Sequence, residues 1–594
     1  MRAMTSSIGE YAIIGDGRTC ALVAPTGSID FLCWPRFDSD ACMAALLGDE
    51  RHGFWRIRPA GYVKDTTRHY RGDTMILETI HQTEGGRVRV TDFMPWHEGD
   101  SAVIRIVEGL EGRTSMALEL RLGFGFGKVS PWIQLHKRGV IAEAGADRVL
   151  LDCPVSVTIH DGTARAAFAV NANDRFAFVL SYSASTDPLR RRLPVDRLLK
   201  FTEAEWAGWI GKFDAPCRWT APVKRSLLTL RALADRKTGG IIAAPTLGLP
   251  EIPGGSMNWD YRYCWLRDST FTLTALLNAG LHAEAKLWRD WVLRAVAGAP
   301  SEMQIVYRID GGRQLREYQI DHLPGYRGAT PVRVGNAASG QTQLDVFGEL
   351  MDSFDVLAKA GIARTPRVIE VETAVVEHLE TAWDRPGAGI WESRGEPQIH
   401  TYSQVMAWVG IDRFVKAHDR SDQIDPDLLG RLKALRDHIH RTICERGYSS
   451  ELGHFVQHYG ADTLDASLLL LPLVGFLSAD DPRITGTIEA IERDLMDGGL
   501  VRRKARLPDG PDEGAFLACS CWLADCYKLL GRDNEAIAML ERVIGVANDV
   551  GLLSEEYHVP SRTLVGNMPQ ALTHLALVNT ALFLSGPSIQ RGGG

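Results

Sequence analysis

The 594-residue chain changes its hydrophobic periodicity near residue 221, and no other feature constrains its fold as strongly. Upstream, short runs alternate between apolar and polar residues, so that Leu118, Leu120 and Leu122 share one face of a predicted strand. Downstream, apolar residues recur every three or four positions in about twelve segments, which is the period of an α-helix. The sequence therefore predicts a β part followed by a helical part, in a chain long enough for more than one domain.

The β part is expected to be an antiparallel β-sandwich over residues 1–200. Its apolar runs, such as "GSIDFLCW" (residues 27–34) and "GRVRVTDFMPW" (residues 86–96), are short and are separated by glycine-rich turns. A linking helix is predicted within residues 201–220, because Thr202 suits the N-cap position and a glutamate follows three residues later.

The helical part is expected to span residues 221–588. Segments 268–280, 345–361 and 520–531 each end on glycine, as a left-handed helix cap does. No exact repeat recurs at the periods typical of solenoids. Alternating longer and shorter loops instead favour a closed double ring of helices, in which the loops at one end build a single pocket. Residues 589–594 are predicted to be a disordered tail.

The composition argues against several classes of partner. The net charge of −8 gives no basic footprint for a nucleic acid. No apolar run approaches the roughly 18 residues of a membrane span. The N-terminal stretch lacks the apolar core of a secretory signal, so we expect a cytoplasmic protein that binds neither membrane nor nucleic acid. The 15 tryptophans outnumber the 14 tyrosines, which suits sugar stacking, although tryptophan also fills cores.

Three motifs that suggest a cofactor or a metal fail on their spacing. "GFGFGK" (residues 123–128) lacks the spacing of a phosphate-binding loop. "DHIH" (residues 437–440) places two histidines at i and i+2, which do not share a helix face. Cys519, Cys521 and Cys526 lie in an apolar helical run and are expected to be buried free thiols. We therefore predict no cofactor and no metal, and the sequence leaves the oligomeric state open.

Polar and aromatic residues crowd four loops where ordinary turn residues would suffice. In the first, "GGSMNWDYRYCWLRDS" (residues 254–269), Trp265 can cover the flat C–H face of a sugar. Arg267 and Asp268 can then clamp adjacent hydroxyl groups through charge-assisted hydrogen bonds. Asp268 also suits the N-cap of the following helix, and residue type alone leaves both interpretations open.

The other three loops offer carboxyl groups beside aromatic or basic residues: Trp391-Glu392, Arg503 with Glu513, and Glu555-Glu556 before Tyr557. Glycoside hydrolysis needs one protonated carboxyl to donate to the leaving oxygen and one ionised carboxyl to act on water or on the sugar carbon. Desolvation beside Trp391 would raise the pKa of Glu392 and so favours it as the acid. Solvated charged turns are the alternative that residue type does not exclude.

The chain also resembles glycoside hydrolase family 15, the glucoamylase-like enzymes in their bacterial and archaeal form, which includes trehalases. The resemblance runs nearly end to end and keeps the family's order. It is carried by "IGEYAIIGDGRTCALVAPTGSIDFLCWPRFDS", "NWDYRYCWLRDS", "GNAASGQTQLDVFGEL", "GIWESRGE", "LDASLLLLPLVGFL", "DEGAFLACSCWLADCY", "SEEY" and "GNMPQALTHLAL".

This resemblance implies an N-terminal β-sandwich, a linker helix and a catalytic (α/α)6 barrel. It also implies inverting, exo-acting removal of glucose from a non-reducing end. Glu392 matches the family's general acid, and Glu555, rather than Glu556, matches its general base. The positions that bind the terminal glucose match Tyr261, Trp265, Arg267, Asp268 and, in a loop of variable length, Arg503.

Two departures from the family's pattern concern the substrate. Ser393 stands where fungal glucoamylases carry a second glutamate that contacts the next sugar, and His574 stands where they carry a tryptophan. We therefore include Ser393 and His574 among the expected substrate contacts, together with Trp391 and Glu556 beside the acid and the base. For His574 a satisfied structural histidine is the alternative.

Together these features predict an inverting exo-α-glucosidase that acts on a small α-glucoside. Trehalose is the first choice of substrate, which would make the chain a trehalase. Malto- or isomalto-oligosaccharides, the substrates of a glucoamylase or related glucohydrolase, are the second. A sugar phosphorylase would need an anion site in place of Glu555, and a non-catalytic sugar-binding protein would need neither Glu392 nor Glu555.

Overall fold

The computed structural model describes residues 6–97, 99, 101–506, 512–586 and 589. Residues 590–594 of the predicted tail lie outside the described residues. The first part of the chain is one connected antiparallel sheet. Its fifteen strands are Ala12–Gly15, Cys20–Val23, Ser28–Cys33, Ala41–Met43, Phe54–Pro59, Val63–Tyr70, Leu77–Thr83, Gly86–Phe93, Ala102–Arg121, Trp132–His136, Gly139–Ala144, Asp147–Asp152, Thr158–His160, Thr163–Asn171 and Arg175–Ala184.

The 20-residue strand Ala102–Arg121 joins the two halves of this sheet. Its first half pairs with Gly86–Phe93 and Arg175–Ala184, and its second half pairs with Phe54–Pro59 and Thr163–Asn171. The side chains that alternate inward along it, including Leu118 and Leu120, are buried, which explains the two-residue period. The predicted N-terminal antiparallel domain is therefore confirmed.

A helix follows the sheet, but it begins earlier than predicted. It spans Val195–Ile210, and Thr202 lies in its interior instead of at its N-cap. The Thr202 hydroxyl accepts a hydrogen bond from the backbone N–H of Trp96, at 3.1 Å, and so bonds to the sheet domain. The N-cap assignment was wrong because a threonine three residues before a glutamate can serve a tertiary contact equally well.

The rest of the described chain is mainly helical, as predicted. Helices that are buried along nearly their whole length alternate with helices that bury one face. Thr401–His418, for example, is buried almost throughout, whereas Pro426–Arg446 buries chiefly the apolar residues of a single stripe. The helices are Thr220–Ala232, Asp268–Asn278, His282–Ala295, Asp345–Lys359, Pro366–Ala382, Thr401–His418, Pro426–Arg446, Leu470–Leu473, Pro482–Asp494, Leu517–Leu529, Asp533–Gly545 and Ala571–Ser585.

Two predictions about these helices hold in the structure. Gly280, Gly361 and Gly531 follow their helices with φ of 78°, 79° and 71°, the left-handed conformation expected of a glycine cap. Cys519, Cys521 and Cys526 are buried free thiols in Leu517–Leu529, also as expected. In the described residues, none of the helices combines the length and apolar character required to cross a membrane.

Short strands stabilise the loops of the helical domain. Cys264–Trp265 pairs with Val306–Tyr307, so that the first predicted loop is fixed along its edge. The other short pairings are Tyr318–Gln319 with Arg333–Val334, Tyr448–Ser449 with His454–Phe455, Met496–Asp497 with Leu500–Val501, and Ala515–Phe516 with Glu556–His558 and Thr563–Val565.

The same loop is anchored to the sheet domain by a buried ion pair. Arg262 donates to both carboxylate oxygens of Asp260, at 2.9 and 2.7 Å, and its other terminal nitrogen donates to the carbonyl of Ser39, at 2.6 Å. The side chains of Arg262 and Asp260 are only 1% and 0% exposed. Since a buried charge is stable only when it is paired, this contact links the two domains directly beneath the loop.

We expect Arg262→Met to destabilise the protein by about 3–5 kcal/mol, because it leaves the Asp260 carboxylate buried without its partner. The measurement is the midpoint of urea unfolding. Arg51→Met is the matched control, since the Arg51–Asp49 pair is solvent-exposed and should leave the midpoint unchanged. Equal midpoints for Arg262→Met and the wild type would contradict the anchoring role.

Candidate active site

All four predicted loops contribute side chains to one cavity of about 300 Å³. The first loop and the Trp391-Glu392 loop both line this cavity. Its lining includes Tyr261, Trp265, Arg267, Asp268, Trp391, Glu392, Ser393, Arg394, Arg503, Glu513, Phe516, Glu555 and Gln570. Residues more than 300 positions apart in the sequence therefore share one site.

The first loop presents its aromatic side chains because its backbone is extended. The N–H groups of Ala243 and Ala244 donate to the carbonyls of Tyr263 and Tyr261, at 2.8 and 2.9 Å. Side chains along extended backbone alternate in direction, so Tyr261 and Trp265 reach the cavity while Arg262 lies against the sheet domain.

Two residues of the first loop hold the Glu392 carboxyl group in place. The indole N–H of Trp265 donates to Glu392 Oε1 at 2.5 Å, and Arg267 Nη1 lies 3.4 Å from the same oxygen. Arg267 Nη1 also donates to the carbonyl of Ile390, at 2.7 Å, which fixes the backbone just before Glu392. Burial raises the pKa of Glu392 above its ordinary value, and the charge of Arg267 only partly offsets this effect.

Asp268 belongs to this group of contacts. Its carboxylate accepts a hydrogen bond from Arg267 Nε at 3.0 Å. The helix Asp268–Asn278 begins at Asp268 itself, with Arg267 in the N-cap position and no side-chain capping hydrogen bond. The structure thus rejects the N-cap alternative and leaves Asp268 in the wall of the cavity.

Trp391, next to Glu392 in the chain, is fixed by hydrogen bonds and ring packing. Its indole N–H donates to both carboxylate oxygens of Asp465, at 2.8 and 3.0 Å. Its ring packs edge-on against Phe516, with centroids 5.2 Å apart, and is stacked with Trp522 at 6.1 Å. Ser393 follows in the lining, and its hydroxyl accepts a hydrogen bond from the N–H of Gly395 at 3.3 Å.

The Glu555 carboxyl group also contacts the first loop. The Tyr261 hydroxyl donates to Glu555 Oε1 at 2.6 Å, and Gln570 Nε2 donates to the same oxygen at 3.0 Å. In the described part of the chain, Oε2 has no hydrogen-bond partner and lies against Gly566, where an added Cβ would be only 2.8 Å away. Burial and then the charge of Glu251 raise the pKa of Glu555 well above its ordinary value.

Glu555 and Glu556 occupy different environments because a strand begins between them. Glu556 pairs with Phe516 in the three-stranded sheet, whereas Glu555 precedes that strand and reaches the cavity. The Glu556 side chain is fully buried and accepts a hydrogen bond from the N–H of Gly514 at 3.1 Å. It does not line the cavity, so the predicted direct substrate contact of Glu556 was wrong.

Arg503 lines the cavity beside a cluster of carboxylates. Its guanidinium contacts Glu513 at 2.6 Å, Glu251 at 2.5 Å and Glu556 at 3.3 Å. Burial raises the pKa of Glu251 and Glu556, whereas Arg503 overcomes the effect of burial and lowers the pKa of Glu513. One oxygen from each of these three carboxylates lies within 4.8 Å of the others, a spacing that suits a cation. The Arg503 guanidinium supplies the positive charge among them.

His574 lies outside the cavity lining, in the helix Ala571–Ser585. Its Nε2 accepts a hydrogen bond from the N–H of Leu553 at 3.2 Å, and its Nδ1 lies 2.9 Å from the Ser226 hydroxyl. Burial lowers its pKa to about 3, so the ring is neutral over the ordinary pH range. The predicted substrate contact was wrong, and the alternative of a satisfied structural histidine is the one that the structure supports.

The two cavity glutamates bond to the two members of one aromatic pair. The rings of Tyr261 and Trp265 pack edge-on, with centroids 5.5 Å apart, while Tyr261 bonds to Glu555 and Trp265 bonds to Glu392. Two carboxyl groups across one cavity can serve as proton donor and proton acceptor. Both have raised pKa values, so the direction of the shift does not by itself assign the two roles.

Several residues of the site were missed by sequence reasoning. Gln570 and Gly566 contact the base candidate, and Asp465 orients Trp391. These three residues lie in stretches that resemble the family, but an amide, a glycine and an N-capping aspartate carry no distinctive signal of chemistry. Glu251 and Asn336 also line the cavity, and only the fold places them there.

The comparisons with known proteins agree with this arrangement. The family model "Glycosyl hydrolases family 15" matches residues 220–582, and the model "Trehalase-like, N-terminal" matches residues 2–204. Curated proteins named trehalase from Mycobacterium tuberculosis and Thermoplasma volcanium are 35% and 32% identical. The alignments cover 97% and 96% of this chain and 89% and 92% of those proteins.

A solved structure shares the fold at low sequence identity. A bacterial glucoamylase, solved in complex with acarbose, superposes with a TM-score of 0.72 at 13% identity, covering 98% of this chain and 94% of the glucoamylase chain. The similarity confirms a sheet domain joined to a helical domain as in that protein. From these matches, the chain belongs to the glycosyl hydrolases of family 15 and is a glycoside hydrolase.

Proposed function

We propose that this enzyme hydrolyses trehalose, releasing glucose with inversion at the anomeric carbon. The observation that carries the proposal is the pair of cavity carboxyls, Glu392 and Glu555, placed at the two ends of the Tyr261–Trp265 ring pair. Support for the substrate comes from relatives named trehalase that align over nearly the whole chain, sheet domain included.

In the proposed reaction Glu392 is the general acid and Glu555 the general base. Glu392 gives its proton to the glycosidic oxygen as the bond from that oxygen to the anomeric carbon breaks. Glu555 takes a proton from water as the water oxygen bonds to the opposite face of the same carbon. Inversion then requires the carboxyl groups to stand about 6.5–9.5 Å apart, with room for the water between them.

The surroundings of Glu392 support its role as the acid, and the role of Glu555 rests on its match to the family's general base. The raised pKa of Glu392 keeps a proton available for donation. Burial and the charge of Glu251 raise the pKa of Glu555 well above its ordinary value, and the charge of Arg503 and the Tyr261 hydroxyl oppose this rise without reversing it. Trp265, Arg267 and Asp268 would hold the terminal glucose, and the Tyr261 oxygen would lie near the positive charge that develops on the ring.

We also propose that the helical domain, over residues 221–588, is an (α/α)6 barrel that follows a β-sandwich and the linker helix Val195–Ile210. The alternation of wholly buried and one-faced helices supports an inner and an outer ring. Contacts between successive buried helices also support it, because Asp268–Asn278, Asp345–Lys359 and Thr401–His418 pack in sequence, and Ala571–Ser585 packs against Asp268–Asn278.

The first prediction about the reaction concerns the carboxyl groups of Glu392 and Glu555. Glu392→Gln and Glu555→Gln should each lower kcat for trehalose by at least about a hundredfold without changing the fold, since each removes one proton transfer. Early NMR of the wild-type reaction on trehalose should show one β-glucose from the attacked ring for each α-glucose that leaves, because only the attacked carbon inverts. Retained activity in either variant would contradict its assigned role.

A substrate panel separates the alternatives. Trehalose, maltose, isomaltose and soluble starch are tested with the wild type, with and without phosphate. Preference for the malto or isomalto substrates would favour the glucoamylase-type alternative. Glucose 1-phosphate formed only with phosphate would indicate a phosphorylase, and binding without turnover would indicate a sugar-binding protein.

The second prediction uses two variants with opposite signs. Glu251→Gln removes a negative charge that raises the pKa of Glu555, so the acidic limb of kcat/KM should move to lower pH. Arg503→Met removes a positive charge that lowers this pKa, so the limb should move to higher pH. Equal shifts in one direction would show that the base is another group.

The third prediction concerns the fit of Glu555 against the backbone. Gly566 has φ of 77°, and a Cβ there would lie 2.8 Å from Glu555 Oε2, so Gly566→Ala should displace the carboxylate and lower kcat by about tenfold or more. Gly361→Ala is the matched control, because φ is 79° there but no described atom lies within 4 Å of the new Cβ. Equal activity losses in the two variants would attribute the effect to backbone strain alone.

A further inference from the structure

Trp259 occupies a part of the cavity lining that the proposed chemistry does not use. The residue is half-buried and lines the cavity beside Met257, Ser393 and Arg394. Two guanidinium groups lie over its ring, with the Cζ of Arg394 at 4.2 Å and the Cζ of Arg333 at 4.5 Å from the ring centroid. Two such contacts on one indole hold it more firmly than its partial burial alone would.

One carboxylate joins the two arginines. Glu317 accepts hydrogen bonds from both terminal nitrogens of Arg394, at 3.0 and 2.6 Å, and lies 3.6 Å from Arg333 Nε. It also accepts a hydrogen bond from the N–H of Ala337, at 3.1 Å. The Glu317 side chain is 17% exposed, compared with 43% for Arg394, so the carboxylate is the more buried partner and Arg394 the more exposed one. We call Trp259, Arg394 and Glu317 the cavity clamp.

The cavity clamp lies directly after the proposed acid in the chain. Only Ser393 separates Glu392 from Arg394, and Gln341 Nε2 donates to the carbonyls of Glu392 and Ser393, at 3.2 and 3.1 Å. The backbone is therefore fixed between the acid and the clamp. The proposed acid protonates the oxygen that joins the two sugars, and Ser393 and Arg394, which follow it in the chain, line the same cavity.

We infer that the cavity clamp closes the far wall of the leaving-sugar site and limits the enzyme to disaccharides. The inference rests on the proposed function. A cavity of about 300 Å³ is at the small end of the range for small-molecule sites, which suits two sugar rings. A longer α-glucan would have to pass Trp259, and Arg394 bonded to Glu317 blocks that path from the acid loop to the first loop.

The test compares substrates of increasing length. Arg394→Ala, Glu317→Gln and Trp259→Ala should each raise the ratio of kcat/KM for maltotriose and maltopentaose to that for the best disaccharide by about tenfold or more. The change should include a higher kcat/KM for maltotriose and maltopentaose themselves, because the opened wall admits them. The KM for the disaccharide should rise as well, because the wall contacts bound sugar without moving protons. Arg394→Lys, which keeps the charge but loses the two-pronged bond to Glu317, should fall between Arg394→Ala and the wild type.

Arg431→Ala is the matched control, since it breaks an arginine–glutamate pair with Glu380 on the outer helices and should leave the ratio unchanged. A second readout is calorimetric binding of the same sugars to each variant carrying Glu392→Gln, which separates binding from turnover. An unchanged length ratio in Arg394→Ala and Trp259→Ala would overturn the clamp. Failure of the proposed function would appear separately, as a wild type that cleaves another disaccharide but not trehalose.

Discussion

The buried ion pair between Asp260 and Arg262 is the contact on which the geometry of the site depends. Both residues lie in the extended backbone that also carries Tyr261 and Trp265, and side chains along such backbone alternate in direction. Anchoring Arg262 against the sheet domain therefore turns the adjacent Tyr261 toward the cavity, and Trp265 reaches the cavity from the same segment. Those two residues hold Glu555 and Glu392, so the sheet domain indirectly sets the positions of both carboxyls.

The electrostatics of the site are those of a cluster. Glu251, Glu513 and Glu556 contact Arg503, and Glu555 lies beside them, so one guanidinium faces four carboxyls. Burial raises the pKa of three of the four, which means that the cluster retains protons where isolated glutamates would not. The titration of Glu555, the proposed base, is consequently shared with its neighbours, so a change at Glu251 or Arg503 also changes the charge state of Glu555.

Residue types were enough to find the loops but not to orient every side chain in them. A Trp–Glu step, a W-x-R-D motif and a second carboxylate loop already indicated the chemistry, and the structure gathers these loops around one cavity. The prediction for Glu556 was wrong because strand register decides the face of the sheet on which a side chain lies. That register is set by the pairing of Glu556 with Phe516, which local sequence does not reveal.

Tertiary contacts explain the other two wrong predictions, those for His574 and Thr202. His574 is buried between Leu553 and Ser226, and nothing in its immediate sequence reveals that both ring nitrogens are engaged. Thr202 likewise bonds to Trp96, a partner 106 residues away. Capping and binding signatures describe what a side chain can do locally, whereas the packing of distant elements selects which of those contacts is made.

The acid loop shows why reactivity and selectivity are linked in this chain. Glu392 has φ of 56°, a left-handed conformation that is unfavourable for a residue with a side chain and persists only where surrounding contacts impose it. Trp391 bonded to Asp465 fixes the loop before the acid, and Gln341 fixes the carbonyls of the acid and of the next residue. Arg394, bonded to Glu317, fixes the loop on the far side. Because the same short backbone carries the proposed proton donor and the proposed wall of the leaving-sugar site, a change that widens the wall also loosens a restraint on the strained backbone of Glu392. Broader substrate range would therefore come with a less well-positioned proton donor, which favours retention of a narrow site.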